Sequence, residues 1–176
     1  MRYVIVVILS FIISLTACKK LNELTAFNLQ YTAHVTLPVI ISTGQPVSIY
    51  SPDVPNDADS VFAAYHTVTD KIDKVNLSES TLTITSPSAE NFNFLSSISV
   101  CMVAGNLTEK RIAWKDNVPD NVGNQLDLEV TSDNLRAYFS ESSFSFHVTV
   151  VTDSTIVEQH EIDIYSKFRV HARVIN

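Results

Sequence analysis

The chain has 176 residues, 45% of them hydrophobic and 18% charged, with only 3 glycines. That composition supplies apolar material for about one packed domain and excludes disordered, collagen-like and low-complexity classes. Lys and Arg number 12 against 19 Asp and Glu, and the resulting formal charge of −7 has the wrong sign for a surface that tracks phosphates, so no nucleic acid is expected as a partner.

Met1 and Arg2 precede an apolar run over residues 3–17. As a helix that run reaches roughly 22 Å, short of the ~30 Å hydrocarbon core, which reads as the apolar stretch of a signal peptide and not as a permanent span. It ends in Leu15-Thr16-Ala17-Cys18, which resembles the bacterial lipobox, in which small residues precede a cysteine that is acylated and becomes the new N-terminus. The resemblance implies a lipoprotein signal peptide over 1–17, lipidation with palmitate-type chains at Cys18 and a lipidated tether over 18–27, after which 28–176 is expected to form a single domain, read below as a β-sandwich. Several acyl chains on one residue anchor a protein without a transmembrane helix, at about 0.8 kcal/mol per buried methylene. An ordinary signal peptide or signal anchor that happens to meet a cysteine is the alternative. Lys19, not Asp, follows Cys18, so the enterobacterial inner-membrane retention signal is absent and the expectation is the outer membrane. Glu23 alone stands for the acidic run of surface lipoproteins, which leaves the membrane face open.

Beyond the tether the chain reads as strands and corners. Leu29, Tyr31, Ala33, Val35 and Leu37 alternate with Gln30, Thr32, His34 and Thr36, the period of a strand with one wet face. Residues 46–50 alternate again and stop at a Pro/Asp-rich loop over 51–57. Over 58–74, Phe62, Tyr65, Val68 and Ile72 fall near helical spacing and Thr69 is placed to cap a turn, so irregular chain with short helical turns is expected. Alternation returns in 75–77 and 81–85. Two strands, 96–104 and 110–114, are joined through Gly105-Asn106, a pair that tolerates positive φ. After a polar loop over 116–123, Leu126, Leu128 and Val130 alternate with Asp127 and Glu129. Residues 132–134 then offer a cap to a single turn over 135–139. Strands over 144–150 and 161–174 close the chain. About seven to nine short strands rich in β-branched and aromatic residues predict an all-β fold, a two-sheet antiparallel β-sandwich with short helical turns. The absence of alternating strand and helix units disfavours a parallel sheet.

Three stretches, residues 87–98, 112–119 and 133–139, are similar to small Bacteroidetes-type cell-envelope lipoproteins of unknown function. The resemblance implies an immunoglobulin-like (WHy-like) sandwich at the cell envelope and names no activity.

Signatures of common chemistry are absent. There is no nucleophile elbow, phosphate loop, His-Glu-x-x-His or Cys-x-x-Cys, and five scattered histidines (His34, His66, His147, His160 and His171) lack metal-ligand spacing. No catalytic, metal or cofactor residue is expected. The acid pairs Asp57/Asp59, Asp127/Glu129 and Glu161/Asp163 each supply too few oxygens for Ca²⁺ and read as solvated faces. With Cys18 acylated, Cys101 has no disulfide partner, and the alternation over 98–103 suggests a buried, inert thiol. Trp114, Tyr65 and Tyr50 lie beside loops or at a strand end, where exposed rings would stack on a sugar. The leading expectation is a non-enzymatic envelope lipoprotein, a tethered interaction module for an envelope protein. The alternative is a carbohydrate-binding accessory lipoprotein of a glycan-uptake system.

Overall fold

The computed structural model describes residues 26–172, which form two stacked antiparallel sheets. The strands are β1 (Ala26–Leu37), β2 (Pro46–Tyr50), β3 (Val54–Pro55), β4 (Ile72–Ser86), β5 (Leu95–Val103), β6 (Lys110–Asp116), β7 (Gln125–Asp127), β8 (Glu129–Val130), β9 (Ser143–Thr152) and β10 (His160–Ala172). One helix, α1 (Ala58–Ala64), and 3₁₀ turns at Thr69–Lys71, Phe92–Phe94 and Arg136–Ser140 fill the connections. Strand order is β1-β10-β4-β7 in one sheet and β2-β9-β5-β6-β8 in the other, with β3 also paired to β9.

The expected antiparallel sandwich is therefore present, and its connectivity corrects the immunoglobulin-like part of the expectation. Among these strands only β5 and β6 are neighbours both in sequence and in a sheet, and most other connections carry the chain across to the opposite sheet. That order is the pair of interlocked Greek keys of a jelly roll. Short alternating strands signal two sheets without specifying which strand joins which, because alternation reports only that one face is dry.

The inner faces meet in one apolar core. In β1 every odd residue from Phe27 to Leu37 is buried, and β10 buries Ile162, Ile164, Phe168 and Val170. Tyr31, Phe139, Phe144 and Phe168 form an aromatic cluster, with Tyr31 edge-on to Phe144 at 5.1 Å and Phe139 edge-on to Phe168 at 4.9 Å. Burial pushes the Tyr31 phenol above its ordinary range, and its hydroxyl donates to Asn56 Oδ1 at 3.2 Å. Asn56 Nδ2 in turn donates to the carbonyls of Phe139 and Glu141 at 2.9 and 2.7 Å, fastening the 51–57 loop to the last 3₁₀ turn.

β4 is one continuous strand where the sequence shows two short alternations. Its pairing with β10 shifts register twice within 72–79: Lys167 faces Glu79 but Phe168 faces Leu77, and His171 faces Lys74 but Ala172 faces Ile72. Ser78 and Asp73 are thus extra residues, and each bulge moves the apolar phase from even to odd positions or back. The buried set is Ile72, then Val75 and Leu77, then Ser80, Leu82 and Ile84. The expected strand over 126–130 is divided at Leu128. β7 pairs with β4 and β8 pairs with β6, so the chain changes sheets in mid-alternation.

The expectation for 58–74 holds in outline. Phe62 is buried, but Tyr65 and Val68 are exposed, and the Thr69 hydroxyl donates to Asp59 instead of capping its turn. Asn134 precedes Leu135, the N-cap of the last 3₁₀ turn, and its Oδ1 accepts from Arg136 N at 3.1 Å and also from Val75 N at 3.1 Å. Gly105 turns the β5–β6 connection with φ at +51°, and a Cβ there would strike the Glu141 carboxylate.

If the bulge preserves the phase, deleting Asn76, a residue in regular alternation, should destabilise the fold by roughly 3 kcal/mol or more, because Val75 would then face water. Ser78→Ala, which removes only a hydrogen bond to the Lys167 carbonyl, should cost about 1 kcal/mol. Urea unfolding that shows the deletion to be as mild as the substitution would refute this account.

Candidate functional site

The outer face of the five-strand path carries the densest set of chemically capable side chains. Register aligns Tyr50 with His147, His147 with Cys101, and Cys101 with Arg111 across β2, β9, β5 and β6. Between Val100 and Cys101 the β5–β6 register slips by one residue. That bulge turns both Ile112 and Ala113 inward, and leaves Arg111 and Trp114 on the same outer face. The Arg111 guanidinium consequently lies over the Trp114 ring at 4.7 Å, and Trp114 Nε1 donates to Glu129 Oε2 at 3.0 Å. Three strands away Tyr50 stacks flat on His147 at 4.3 Å, with 8° between the rings. His147 Nδ1 pairs with Glu109 Oε1 at 2.5 Å, which fixes the ring beneath the tyrosine.

Cys101 lies within this row. It shares the parity of the half-buried Ser99 and not that of the buried Val100 and Met102, so the expectation of a buried-face thiol is corrected: the residue is on the outer face and half-covered. Burial, and after it the Glu109 carboxylate, push its thiol up, so it remains protonated and a poor nucleophile.

A second surface lies at the end of the sandwich where β1 terminates. The loops over 38–45 and 153–159 are joined by a two-way backbone bridge between Ile40 and Ile156, at 3.0 and 2.8 Å. Ile40 and Ile156 are buried, and their neighbours therefore project outward: Val39 is 53% exposed, Ile41 81% and Val157 82%. The antiparallel bridge sets Val39 opposite Val157.

The sequence-predicted aromatics divide. Tyr50 and Trp114 share a face, with Trp114 capped on one side by Arg111, while Tyr65 stacks on Phe27 at 4.3 Å against the other sheet, at the end where β1 begins. Cys18 lies outside the described residues. Of the acid pairs, Glu161 and Asp163 do share a side, where they flank His34: Nε2 is 2.7 Å from Glu161 and Nδ1 2.8 Å from Asp163. Asp127 and Glu129 are divided by the sheet change, Asp127 accepting from Thr81 and Glu129 from Trp114. Among the described residues no three His, Cys, Asp or Glu are placed to hold a metal ion, and no helix is long and apolar enough to cross a membrane. Sequence reading passed over Val39, Ile41 and Val157. An apolar run between Pro38 and Ser42 looks like core, and only the bridge at Ile40 shows which of its members face out.

No family model matches this sequence, and no curated protein matches it. Solved structures similar to it include that of Desmodium yellow mottle tymovirus, with 12% identity, TM-score 0.29 and coverage of 86% of this chain and 90% of that one. Another comes from work on carbohydrate-binding modules of the β-sandwich superfamily, with 10% identity, TM-score 0.31 and 81% of this chain covered; the chain spans 54% of that protein. Turnip yellow mosaic virus follows, with 12% identity, TM-score 0.26, and 85% of this chain and 98% of that one covered. At these identities and scores none of them bears on function.

Two titrations follow from the geometry. The Asp163 carboxylate, with Glu161, holds the His34 imidazolium above its usual range. Its contribution to stability is therefore complete below about pH 6.5 and lost as pH rises through the elevated folded value. The urea midpoint of the native chain should exceed that of His34→Gln at pH 5.5, by a margin that narrows toward pH 9. A margin that widens with pH would contradict the assignment. In a Cys18→Ala chain, where Cys101 is the one thiol left of 2, a disulfide reagent should react about tenfold slower with native than with denatured protein.

Proposed function

We propose that this chain is a non-enzymatic cell-envelope lipoprotein, anchored in the outer membrane through Cys18, whose sandwich presents its far end to a protein partner. The observation that carries the reading is the placement of exposed aliphatic residues. Val39, Ile41 and Val157 stand beyond the Leu37 end of β1, while a tether from Cys18 would enter at Ala26. Twelve strand residues separate those ends, about 37 Å at the usual strand rise. From Cys18 to Ala26 the backbone reaches no more than about 28 Å, so an anchored sandwich would stand close to the lipid with this patch pointed away from it. Scattered single apolar residues need no explanation, but three brought together by a two-way backbone bridge form a built surface.

The non-enzymatic part of the reading is supported by the side-chain pairing. The described histidines with side-chain partners engage carboxylates, at His34 and His147, or a backbone carbonyl, at His160. No hydroxyl or thiol is activated by them.

Carbohydrate binding, as an accessory of glycan uptake, is the second reading, and the observation favouring it is Tyr50. Its ring is 62% exposed, held flat by His147, and flanked along the register by polar groups. On that reading Tyr50→Ala would abolish a glycan-array signal that Trp114→Ala only weakens, since Arg111 already occupies one indole face.

Metabolic labelling with a palmitate analogue checks the anchor. The native chain should carry label and Cys18→Ala should not; equal label on both would overturn the lipoprotein reading.

A further inference from the structure

Sheet edges carry unpaired backbone groups, and proteins blunt them with short strands, prolines, charges or bulges. Three of the strands that end the two sheets are blunted in this way: β7 has 3 residues, β8 has 2, and β2 has 5 and begins at Pro46. The fourth, β1, is not. Its 12 residues include no proline and no Lys, Arg, Asp or Glu, and it pairs with β10 without a register shift. The direction of its backbone groups follows from the bonds of β4. Ile84 N donates to the Asn124 carbonyl and Leu128 N to the Ser80 carbonyl, both at 2.9 Å, so Ser80 and Ile84 address the β7 side. Backbone groups alternate sides along an antiparallel strand, so Thr81 and Thr83 address β10, opposite Tyr165 and Asp163. The even residues of β10 then address β1, opposite Leu29, Tyr31, Ala33 and Val35. That leaves Asn28, Gln30, Thr32, His34 and Thr36 with N–H and C=O aimed at the open edge, where no backbone group among the described residues bonds them.

The charges beside that edge specify what pairs with it. The outward residues of β10 are acidic at one end, Glu161 and Asp163, and basic at the other, Lys167 and Arg169, with Tyr165 between them opposite Thr32. The pattern therefore changes sign about Thr32. A second β1 laid antiparallel, its own Thr32 against this one, sets Asp163 in one cross-sheet row with Lys167 of the copy and Glu161 in one row with its Arg169. On the outer side His34 meets Gln30, and on the inner side Tyr31 meets Ala33 and Leu29 meets Val35, so polar faces polar and apolar faces apolar. Every edge-facing N–H meets a C=O in this register, whereas a slip of one residue would set outward side chains against inward ones. We infer that two copies of this chain pair through β1, joining their four-strand sheets into one continuous sheet across a twofold axis at Thr32. The strands run oppositely, so the two Ala26 ends leave the joined sheet at opposite ends. Upright chains anchored in one membrane do not pair; the contact joins chains on facing lipid surfaces or chains free of lipid. The inference goes beyond the proposed function and depends on neither the anchor nor the far end.

The test uses the full-length chain in detergent micelles, where the chains are free to turn, and reads oligomeric state by sedimentation equilibrium at matched detergent density. The native chain should be dimeric at submillimolar concentration. Thr32 is exposed on the outer face of β1, so substitutions there leave the monomer intact. Thr32→Lys and Thr32→Glu should each keep the strand circular dichroism of the native chain and each weaken pairing by about tenfold or more, because like charges would meet at the axis. An equimolar mixture of the two variants should pair again, Lys against Glu. A native chain that stays monomeric, a dimer that survives both substitutions, or a mixture that fails to pair would each overturn the inference. So would growth beyond two copies, since β1 gives each chain one such edge and pairing through it closes at two. Absence of palmitate label with the dimer preserved would overturn the anchor alone.

Discussion

Everything in this molecule depends on two sheets burying one face each against the other, which obliges every strand to keep its apolar residues in phase with its neighbours. The phase is strict because strand side chains alternate with a period of two, so a slip of one residue exchanges dry for wet. β10 is the reference strand of the β1-β10-β4-β7 sheet. It lies between β1, whose twelve residues pair with it without a shift, and β4, which follows it only by inserting extra residues. The same device recurs in the second sheet, where the slip opposite Cys101 brings Arg111 and Trp114 to one surface. Bulges that preserve the core thus also decide which functional groups become neighbours outside it.

Much of the core was legible from residue order alone. The inward residues of β1, β9 and β10 follow the alternation read in the sequence, because these strands keep one phase with few interruptions. Where the reading failed, the cause was local and physical. Ser78 and Asp73 break the phase of β4 while the strand continues, and Leu128 lies where the chain passes between sheets in the middle of an unbroken alternation. Connectivity was not legible at all, since a jelly roll and an immunoglobulin-like sandwich ask the same alternation of their strands. The surface was harder still. Cys101 lies one position out of phase with the buried Val100 and Met102, on the face opposite to the expected one, and it is the bridge between Ile40 and Ile156 that turns Val39, Ile41 and Val157 outward.

The two ends of the sandwich differ in their exposed apolar residues. Tyr65 and Val68 lie toward the end where β1 starts, among charges of both signs that include Lys71, Lys74 and Arg136 beside Asp57, Asp59 and Asp70. The loops of the opposite end, 38–45, 87–94, 117–124 and 153–159, carry no Lys or Arg and expose Val39, Ile41 and Val157. The outer sheet face between the ends is occupied by contacts internal to the chain, as Arg111 covers Trp114 and His147 is held between Tyr50 and Glu109.

That polarity is best tested in intact cells by placing a photo-crosslinking benzoylphenylalanine, one site at a time, at Ile41 on the far end, at Tyr50 on the outer sheet face and at Tyr65 on the near end. The account predicts a discrete protein adduct from Ile41 and none from Tyr50 or Tyr65. A protein adduct from Tyr50 with none from Ile41 would contradict it.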